Sequence, residues 1–374
     1  TSSSNAGSYT INNLSGISIS NGTGTASNYT LTGGTHSFTI AERAISVNGT
    51  RLYDATSNAE ASDLSTQTNL VGSQTLVLSG TGIIASRDVG SNKTVSVGTL
   101  TLADGSNGGL AANYTLSGGT HQLTVTQRPL NSSGSKAYDA NTDALANAIT
   151  LSNLAGGETL IHSGTASTSS ANAGSYTINN LAGIGISNGT GTASNYTLTG
   201  GTHSFTINKR VVSLSGGSRQ YNGSATAIAA DLPTINNLVG SETLTLSGNG
   251  VVENANVGDN KPLTNLSGLT LQNGSNGGLA ANYTLSGGSS IISITPRILS
   301  LVGSRVYDGT TNSNSSDLTI SNLVGSETLS LSGFGTVTSE NVGTNKTISL
   351  NTLSLSNGSG SASNYTLTGG THTY

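Results

Sequence analysis

Hydrophobic and polar positions alternate along most of this chain. In one such run Leu244 and Leu246 fall on one side of an extended segment and Thr243 and Thr245 on the other, and similar runs occupy 45–47, 212–214 and 299–301. A period of two is typical of a strand with one buried and one solvated face. No segment has convincing helical periodicity, and the best candidate, 140–149, is short and uncapped. The pattern therefore predicts an all-β protein.

The strand pattern returns at a fixed interval. Close copies of the segment Asn195–Arg210 begin at Asn28, Asn113, Asn282 and Asn364, roughly 82 to 87 residues apart, which is longer than the roughly 20–50 residues of solenoid repeats. We therefore expect whole small β domains at 43–127, 128–209, 210–296 and 297–374, the last lacking the end of its final strand. Residues 1–42 match the C-terminal half of a repeat, so we expect a piece of a longer array.

Each repeat carries the same few marked positions. An Arg opens it, a Tyr-Asp or Tyr-Asn turn follows a Lys or Arg, and an Asn-Tyr-Thr segment precedes a closing hairpin with a Gly-Gly turn. We expect Tyr196, Leu198, Phe205 and Ile207 of this hairpin to face the core. The structural marks are Arg43, Tyr53, Asp54, Tyr114, Arg128, Tyr138, Asp139, Tyr196, Arg210, Tyr221, Tyr283, Arg297, Tyr307, Asp308 and Tyr365.

Charge is unusually scarce in this chain. Charged residues make up 8% of the sequence, against about 25% in typical soluble domains. No basic cluster offers a nucleic-acid footprint, and no apolar run approaches the roughly 18 residues of a membrane span. The charges that remain recur at fixed places, among them Glu158, Glu242 and Glu327, so we expect them to pair at the junctions between repeats. With only 4% aromatic residues the cores are thin, and neighbouring repeats should stabilise one another.

The sequence offers few candidates for chemistry. One His recurs per repeat at positions 36, 121, 203 and 372, with Ser290 in the remaining copy. A single His without nearby Cys or clustered carboxylates makes a poor metal site, so we expect structural histidines at the rim of the core. Asp residues at turns should cap those turns, with Ca²⁺ at the junctions as a weaker alternative. An isopeptide cross-link through Lys93, Lys261 or Lys346 is weaker still. We expect no catalytic residue, no metal and no cofactor.

The motifs resemble a known family of repeats. The segments Arg305-Val-Tyr-Asp-Gly-Thr-Thr311, Asn341–Lys346 and Asn364–Leu367 resemble the YDG and MBG repeats of large bacterial surface adhesins, including filamentous-haemagglutinin-like and two-partner-secretion exoproteins. The resemblance covers essentially the whole chain, with Ala55, Ala140 and Asn222 as departures inside the turn. It implies an extracellular, cell-surface, all-β stalk without catalytic residues.

These observations favour a tandem array of small immunoglobulin-like β-sandwich repeats stacked end to end, with β-grasp-like repeats as the alternative. The expected function is a structural or adhesive extracellular module of a stalk or filament, not an enzyme. Its expected partners are neighbouring repeats of the same longer chain, other copies in filaments, and cell-surface or matrix carbohydrate, with no nucleic acid. The alternative function is lattice or carbohydrate binding, as in ice-binding surfaces, through strand faces rich in Thr, Ser and Asn. Glycosylation at the many Asn-x-Ser/Thr sites stays open.

Overall fold

Short strands and single-turn 3₁₀ helices make up the regular structure of this chain. The computed structural model describes residues 3–178, 180–285 and 289–374, and over these residues it contains no α-helix. The all-β tandem repeat predicted from the sequence is thereby confirmed. Within the described residues, the leading fragment has one 3₁₀ turn, at Ala26–Asn28, and each of the four following repeats has two, at Ala61–Asp63, Ala111–Asn113, Ala146–Ala148, Ala193–Asn195, Ala229–Asp231, Ala280–Asn282, Ser315–Asp317 and Ala362–Asn364.

The leading fragment and the first complete repeat supply twelve strands. They are β1 (Gly7–Thr10), β2 (Ser37–Ile40), β3 (Arg43–Ala44), β4 (Ser46–Leu52), β5 (Asn58–Glu60), β6 (Thr66–Thr68), β7 (Leu76–Ser79), β8 (Thr81–Ile84), β9 (Gly90–Ser96), β10 (Thr101–Asp104), β11 (Tyr114–Thr115) and β12 (Gln122–Thr126).

The next repeats follow the same order of elements. The repeat that opens at Arg128 has β13 (Arg128–Pro129), β14 (Asn131–Ala137), β15 (Asp143–Leu145), β16 (Ile149–Ser152), β17 (Leu160–Ser167), β18 (Gly174–Thr177), β19 (Ile184–Asn188), β20 (Tyr196–Thr197) and β21 (His203–Asn208). The repeat that opens at Arg210 has β22 (Arg210–Val211), β23 (Ser213–Ser215), β24 (Gly217–Gln220), β25 (Thr226–Ile228), β26 (Thr234–Asn236), β27 (Leu244–Val252), β28 (Gly258–Asn265), β29 (Leu269–Asn273), β30 (Tyr283–Thr284) and β31 (Ile291–Thr295).

The last repeat contains the remaining strands. They are β32 (Arg297–Ile298), β33 (Ser300–Gly303), β34 (Asn312–Asn314), β35 (Leu318–Ser321), β36 (Leu329–Ser332), β37 (Phe334–Val337), β38 (Ile348–Ser349), β39 (Ser354–Asn357), β40 (Tyr365–Thr366) and β41 (His372–Thr373).

The first complete repeat is organised around a mixed six-stranded sheet. Its strand order is β5-β8-β9-β12-β4-β6, so the first long strand, β4, lies beside the last, β12. These two strands run parallel, whereas β4 with β6, β5 with β8 and β9 with both β8 and β12 run antiparallel. Two further pairs, antiparallel β7-β10 and parallel β3-β11, complete the repeat. The hydrophobic pattern alone did not predict this parallel pairing.

The core lies where the alternating strands predict it. Ile45, Val47, Leu123 and Val125 are at most 1% exposed, and β12 alternates between half-buried and buried positions along its length. In the hairpin of the next repeat, residues 196, 205 and 207 are buried and residue 198 is half-buried, as expected from its sequence. Burying one such aliphatic side chain contributes about 1.5–3 kcal/mol.

The Gly-Gly turn before β12 has a steric cause at each glycine. Gly118 has a φ of +81°, a backbone conformation that residues other than Gly adopt only at a cost in free energy. At Gly119 a Cβ atom would lie 1.9 Å from the Ile45 carbonyl oxygen. Both positions therefore exclude larger residues, which explains why this dipeptide closes the hairpin.

By its internal contacts the chain forms two compact units that do not follow the repeat bounds. One comprises residues 1–134, 143–168 and 177–205, and the other comprises 135–142, 169–176 and 206–374. Two short segments of the repeat that opens at Arg128 thus group with the repeat that follows it in sequence. These segments carry Tyr138 and Asn172–Ala173, whose partners explain the grouping.

Candidate functional site at the repeat junction

A buried carboxylate lies between two tyrosines from consecutive repeats. The Tyr53 phenol, from the turn after β4, donates a hydrogen bond to Glu158 Oε1 at 2.8 Å. The Tyr196 phenol, from the following repeat, donates to Glu158 Oε2 at 2.6 Å. The two rings meet edge to face with centroids 5.4 Å apart and an interplanar angle of 79°. We call this arrangement of two tyrosines and one glutamate the junction triad.

Local structure explains how each member of the triad is placed. Tyr53 follows β4 directly, and its N–H donates to the Thr126 carbonyl. Glu158 ends a tight turn in which its N–H donates to the Ala155 carbonyl at 2.9 Å. Tyr196 begins β20 after a 3₁₀ turn, and its phenol oxygen accepts the Ala155 N–H at 3.1 Å. Each polar atom of the triad is therefore satisfied, as a buried group requires.

The environment keeps both tyrosines protonated. Burial and then the hydrogen bond to Glu158 raise the pKa of Tyr53 above its ordinary value. The same causes, in the same order, raise the pKa of Tyr196 to about 12. Two phenols donating to one carboxylate form charge-assisted hydrogen bonds, which are shorter and stronger than neutral ones.

A second polar contact lies beside the triad. The side chain of Asn195 is fully buried. Its Oδ1 accepts the Val89 N–H at 2.9 Å, and its Nδ2 donates to Asp88 Oδ1 at 2.8 Å. This hydrogen bond lowers the pKa of Asp88, against the opposing effect of burial. The turn before β9 in one repeat is thus bound to the Asn-Tyr segment of the next.

Arginines complete the junction. Arg128, which opens the following repeat, donates from Nε to the Asn153 carbonyl at 2.7 Å and from Nη2 to Asn153 Oδ1 at 2.8 Å. Its Nη1 also reaches the Tyr53 carbonyl at 3.4 Å. Arg87 of the preceding repeat lies 3.3 Å from Glu158 Oε1, with about half of its side chain exposed. Arg128 therefore fixes an Asn turn in its own repeat and contacts the repeat before it.

The second compact unit contains two further copies of this junction. Glu242 accepts from Tyr138 at 2.7 Å and from Tyr283 at 2.6 Å, with ring centroids 5.3 Å apart. Glu327 accepts from Tyr221 and Tyr365, each at 2.7 Å, and these rings are also 5.3 Å apart. The neighbouring Asn contact recurs as well, with Asn282 bound to Asn172–Ala173 and Asn364 to Asn256–Val257.

One site carries Gln in place of the glutamate. Tyr114 donates to Gln74 Oε1. Asn113 accepts the Ala6 N–H at 2.7 Å and donates to Asn5 Oδ1 at 3.0 Å. The leading fragment thus contacts Asn113 in the way that other repeats contact Asn195, Asn282 and Asn364. At this junction the acceptor of the tyrosine hydrogen bond is the neutral Gln74.

The recurring histidines stabilise the hairpin. His121 Nδ1 accepts the Val47 N–H at 3.2 Å, so Nε2 carries the hydrogen that bonds the Leu116 carbonyl at 2.9 Å. In the repeat without this His, Ser290 Oγ accepts the Leu214 N–H at 3.1 Å. A backbone N–H of the first strand region is therefore satisfied in either case, which is a structural role.

The remaining marked residues lie within their own repeats. Asp54 Oδ1 accepts the Thr56 N–H at 2.9 Å and pairs with Arg51, and Asp139 and Asp308 make the equivalent turns with Lys136 and Arg305. Arg43 and Arg297 bind the Asn turns of their own repeats. Tyr307 is 60% exposed. The structure brings eight marks together at junctions: Tyr53, Tyr138, Tyr196, Tyr221, Tyr283, Tyr365, Arg128 and Arg210.

The lysines that raised the question of a cross-link also act locally. Lys93 Nζ donates to the Ser86 carbonyl at 3.0 Å, and Lys346 Nζ donates to the Ser339 carbonyl at 2.8 Å. Within the described residues, no group of three or more His, Asp or Glu is arranged to hold a metal ion. In the same part of the chain, no helix is long and apolar enough to cross a bilayer.

Comparison with known proteins identifies the repeats. A family model described as the YDG domain matches four consecutive segments, at residues 39–124, 120–204, 208–290 and 293–373. No curated protein matches the chain.

Proposed function

Since the chain belongs to the YDG domain family, we propose that it is an extracellular structural and adhesive module of a bacterial surface protein. In this role the repeats form part of a stalk or filament, and they carry no catalytic activity. Their first partners are the neighbouring repeats of the same chain, and carbohydrate or other copies of the chain are further partners.

The repeated junction is the observation that supports this proposal best. Three times, a glutamate that is buried (Glu158) or half-buried (Glu242, Glu327) accepts hydrogen bonds from tyrosines of two consecutive repeats. Each hydrogen bond to a charged group contributes about 1.5–3 kcal/mol. In the first unit the hydrophobic core also continues across the junction, from Ile45 and Tyr53 to Ala155 and Tyr196. A protein that uses its few charged residues to fix one repeat to the next is suited to keeping a defined spacing between repeats.

The exposed hydroxyl groups support a structural role over lattice binding. Many bond each other across strands, as do Ser79 with Thr101 at 2.9 Å and Thr75 with Ser106 at 2.7 Å. A hydroxyl engaged in this way is less able to order an external lattice. We therefore place ice-binding or other lattice binding second, and a thermal hysteresis assay separates the two. Clear hysteresis by the purified chain would reverse the order.

Surface exposure is tested on intact cells of the source bacterium. Antibodies raised against the purified repeats should label unpermeabilised cells, and brief protease treatment of those cells should remove the label while a cytoplasmic marker stays intact. Labelling that requires permeabilisation contradicts an extracellular role. A glycan array probed with the same chain then tests whether the repeats themselves bind carbohydrate.

A further inference from the structure

The first and last long strands of a repeat are parallel neighbours. In the first complete repeat, β4 and β12 pair from Asn48 with Gln122 to Leu52 with Thr126. The pairing continues beyond Leu52, because the Tyr53 N–H donates to the Thr126 carbonyl. Before β4, the parallel pair β3-β11 is followed by a further bond, from the Ile45 N–H to the Thr115 carbonyl. We call residues 48–52 and 122–126 the parallel clamp.

This topology fixes the direction in which tension acts. The chain enters the repeat at the start of β4 and leaves it at the end of β12, so entry and exit lie at opposite ends of the clamp. Tension along the backbone pulls the two strands past each other, parallel to their axes. The evenly spaced hydrogen bonds of a parallel pair are then stretched together, whereas a pair pulled apart from one end loses them one after another.

We propose that the parallel clamp is a mechanical element, which makes each repeat resist extension along the chain. The clamp is central in its sheet, since β9 pairs with the other edge of β12 and β6 with the other edge of β4. Leu123 within the clamp and Val47 directly before it are fully buried. His121 lies directly before β12 and adds a side-chain hydrogen bond to β4, because its Nδ1 accepts the Val47 N–H.

The arrangement recurs in the second compact unit. In the repeat that opens at Arg210, β24 pairs in parallel with β31, from Gly217 with Ile292 to Gln220 with Thr295. The last repeat has a shorter parallel pair, in which β33 contacts β41 at Leu301 with His372 and Val302 with Thr373. The first and last long strands are therefore parallel neighbours in these repeats as well.

Use of the clamp in the organism rests on the proposed stalk function, because a stalk that holds a cell to a surface is placed under tension. The clamp itself follows from strand order and direction alone. A chain that fails to label intact cells would refute the surface role and leave the mechanical measurement unaffected.

The test compares two directions of pulling on the same repeat in the full chain. The sequence contains no Cys, so two introduced cysteines define where the handles of an optical trap attach. Glu42→Cys with Gln127→Cys applies tension along the clamp. Leu52→Cys with Gln127→Cys applies it across one end, since Leu52 pairs with Thr126. Glu42, Leu52 and Gln127 are all exposed, and both variants share the change at Gln127.

At equal pulling speed, the unfolding force along the clamp should be at least about twofold higher than the force across its end, because the bonds of a parallel ladder share the tension only in the first geometry. Equal forces, or a higher force across the end, overturn the proposal.

A second measurement covers the case in which a variant does not fold. The otherwise unchanged chain, pulled through cysteines added at its two ends, should extend in steps of roughly 30 nm per repeat, from 3.3–3.6 Å per released residue. His121→Ala should lower the force of one of these steps, because it removes the acceptor of the Val47 N–H. Gradual extension without steps overturns the proposal.

Discussion

Replacing the glutamate of one triad with its neutral isostere tests the junction most directly. In Glu158→Gln the amide oxygen can still accept from one tyrosine. The amide nitrogen then faces the other phenol and offers it no acceptor. The phenol oxygen of Tyr196 already accepts the Ala155 N–H, so the triad cannot be satisfied by rotating the hydroxyl groups. One buried O–H is left without an acceptor.

The expected cost follows from these contacts. An unsatisfied buried donor costs about 1–3 kcal/mol, and exchanging the remaining charged acceptor for a neutral one costs about 1 kcal/mol more. The half-exposed ion pair of Glu158 with Arg87 adds at most about 1 kcal/mol. We therefore expect the free energy of unfolding to fall by about 2–5 kcal/mol. For two coupled repeats this lowers the melting temperature by roughly 5–20 °C.

Thermal and urea denaturation of the full chain measure the effect, and the exposed Glu253 provides a matched control because Glu253→Gln makes the same change of charge. A double-mutant cycle with Tyr53→Phe then isolates the interaction across the junction. If Glu158→Gln melts within about 1 °C of Glu253→Gln, or if the cycle gives a coupling energy near zero, the triad does not hold the repeats together.

Three further predictions follow from single features. Ala55 has a φ of 66° and Gly309 a φ of 69° at equivalent turns, so Ala55→Gly should stabilise and Gly309→Ala destabilise the chain by about 1–2 kcal/mol each in urea titrations; effects of the same sign would contradict this. The pKa values of Tyr138, Tyr196, Tyr221 and Tyr283 are raised to about 12. The contribution of these phenols to folding stability is therefore complete below pH 10 and is lost as the pH rises towards 12. Absorbance at 295 nm, which reports tyrosine ionisation, and circular dichroism, which reports folding, should change over the same pH range. Residues 43–127 alone should melt well below the full chain, and equal melting temperatures would refute coupling between repeats.

Local patterns in the sequence predicted the parts of the fold that depend on local chemistry. Alternation placed Ile45, Leu123 and Phe205 in the core, and glycine pairs marked the hairpin turns. The parallel partnership of β4 with β12 was not predictable in this way, because a period of two reports which face of a strand is buried and says nothing about which strand lies beside it.

The junction triad was predictable only in part. Scarce charges at a fixed period indicated that Glu158 contributes to a junction, but Tyr53 lies 105 residues away from it in sequence. A further signal was available, since a buried carboxylate needs donors and Tyr is the donor that recurs twice per repeat in step with the glutamate. Tyr196 was expected to face the core, and it does so while its hydroxyl reaches the junction.

Each junction has two halves, one from each of the two repeats that meet there, and this division affects how such an array changes length over generations. The two repeats that open at Arg128 and Arg210 each encode both halves: a Tyr turn and an Asx turn that contact the next repeat, and a Glu with an Asn-Tyr segment that contact the previous one. Unequal recombination that duplicates or deletes one whole repeat therefore joins two halves that already fit. The gene can lengthen or shorten by one repeat without a compensating mutation at the new boundary.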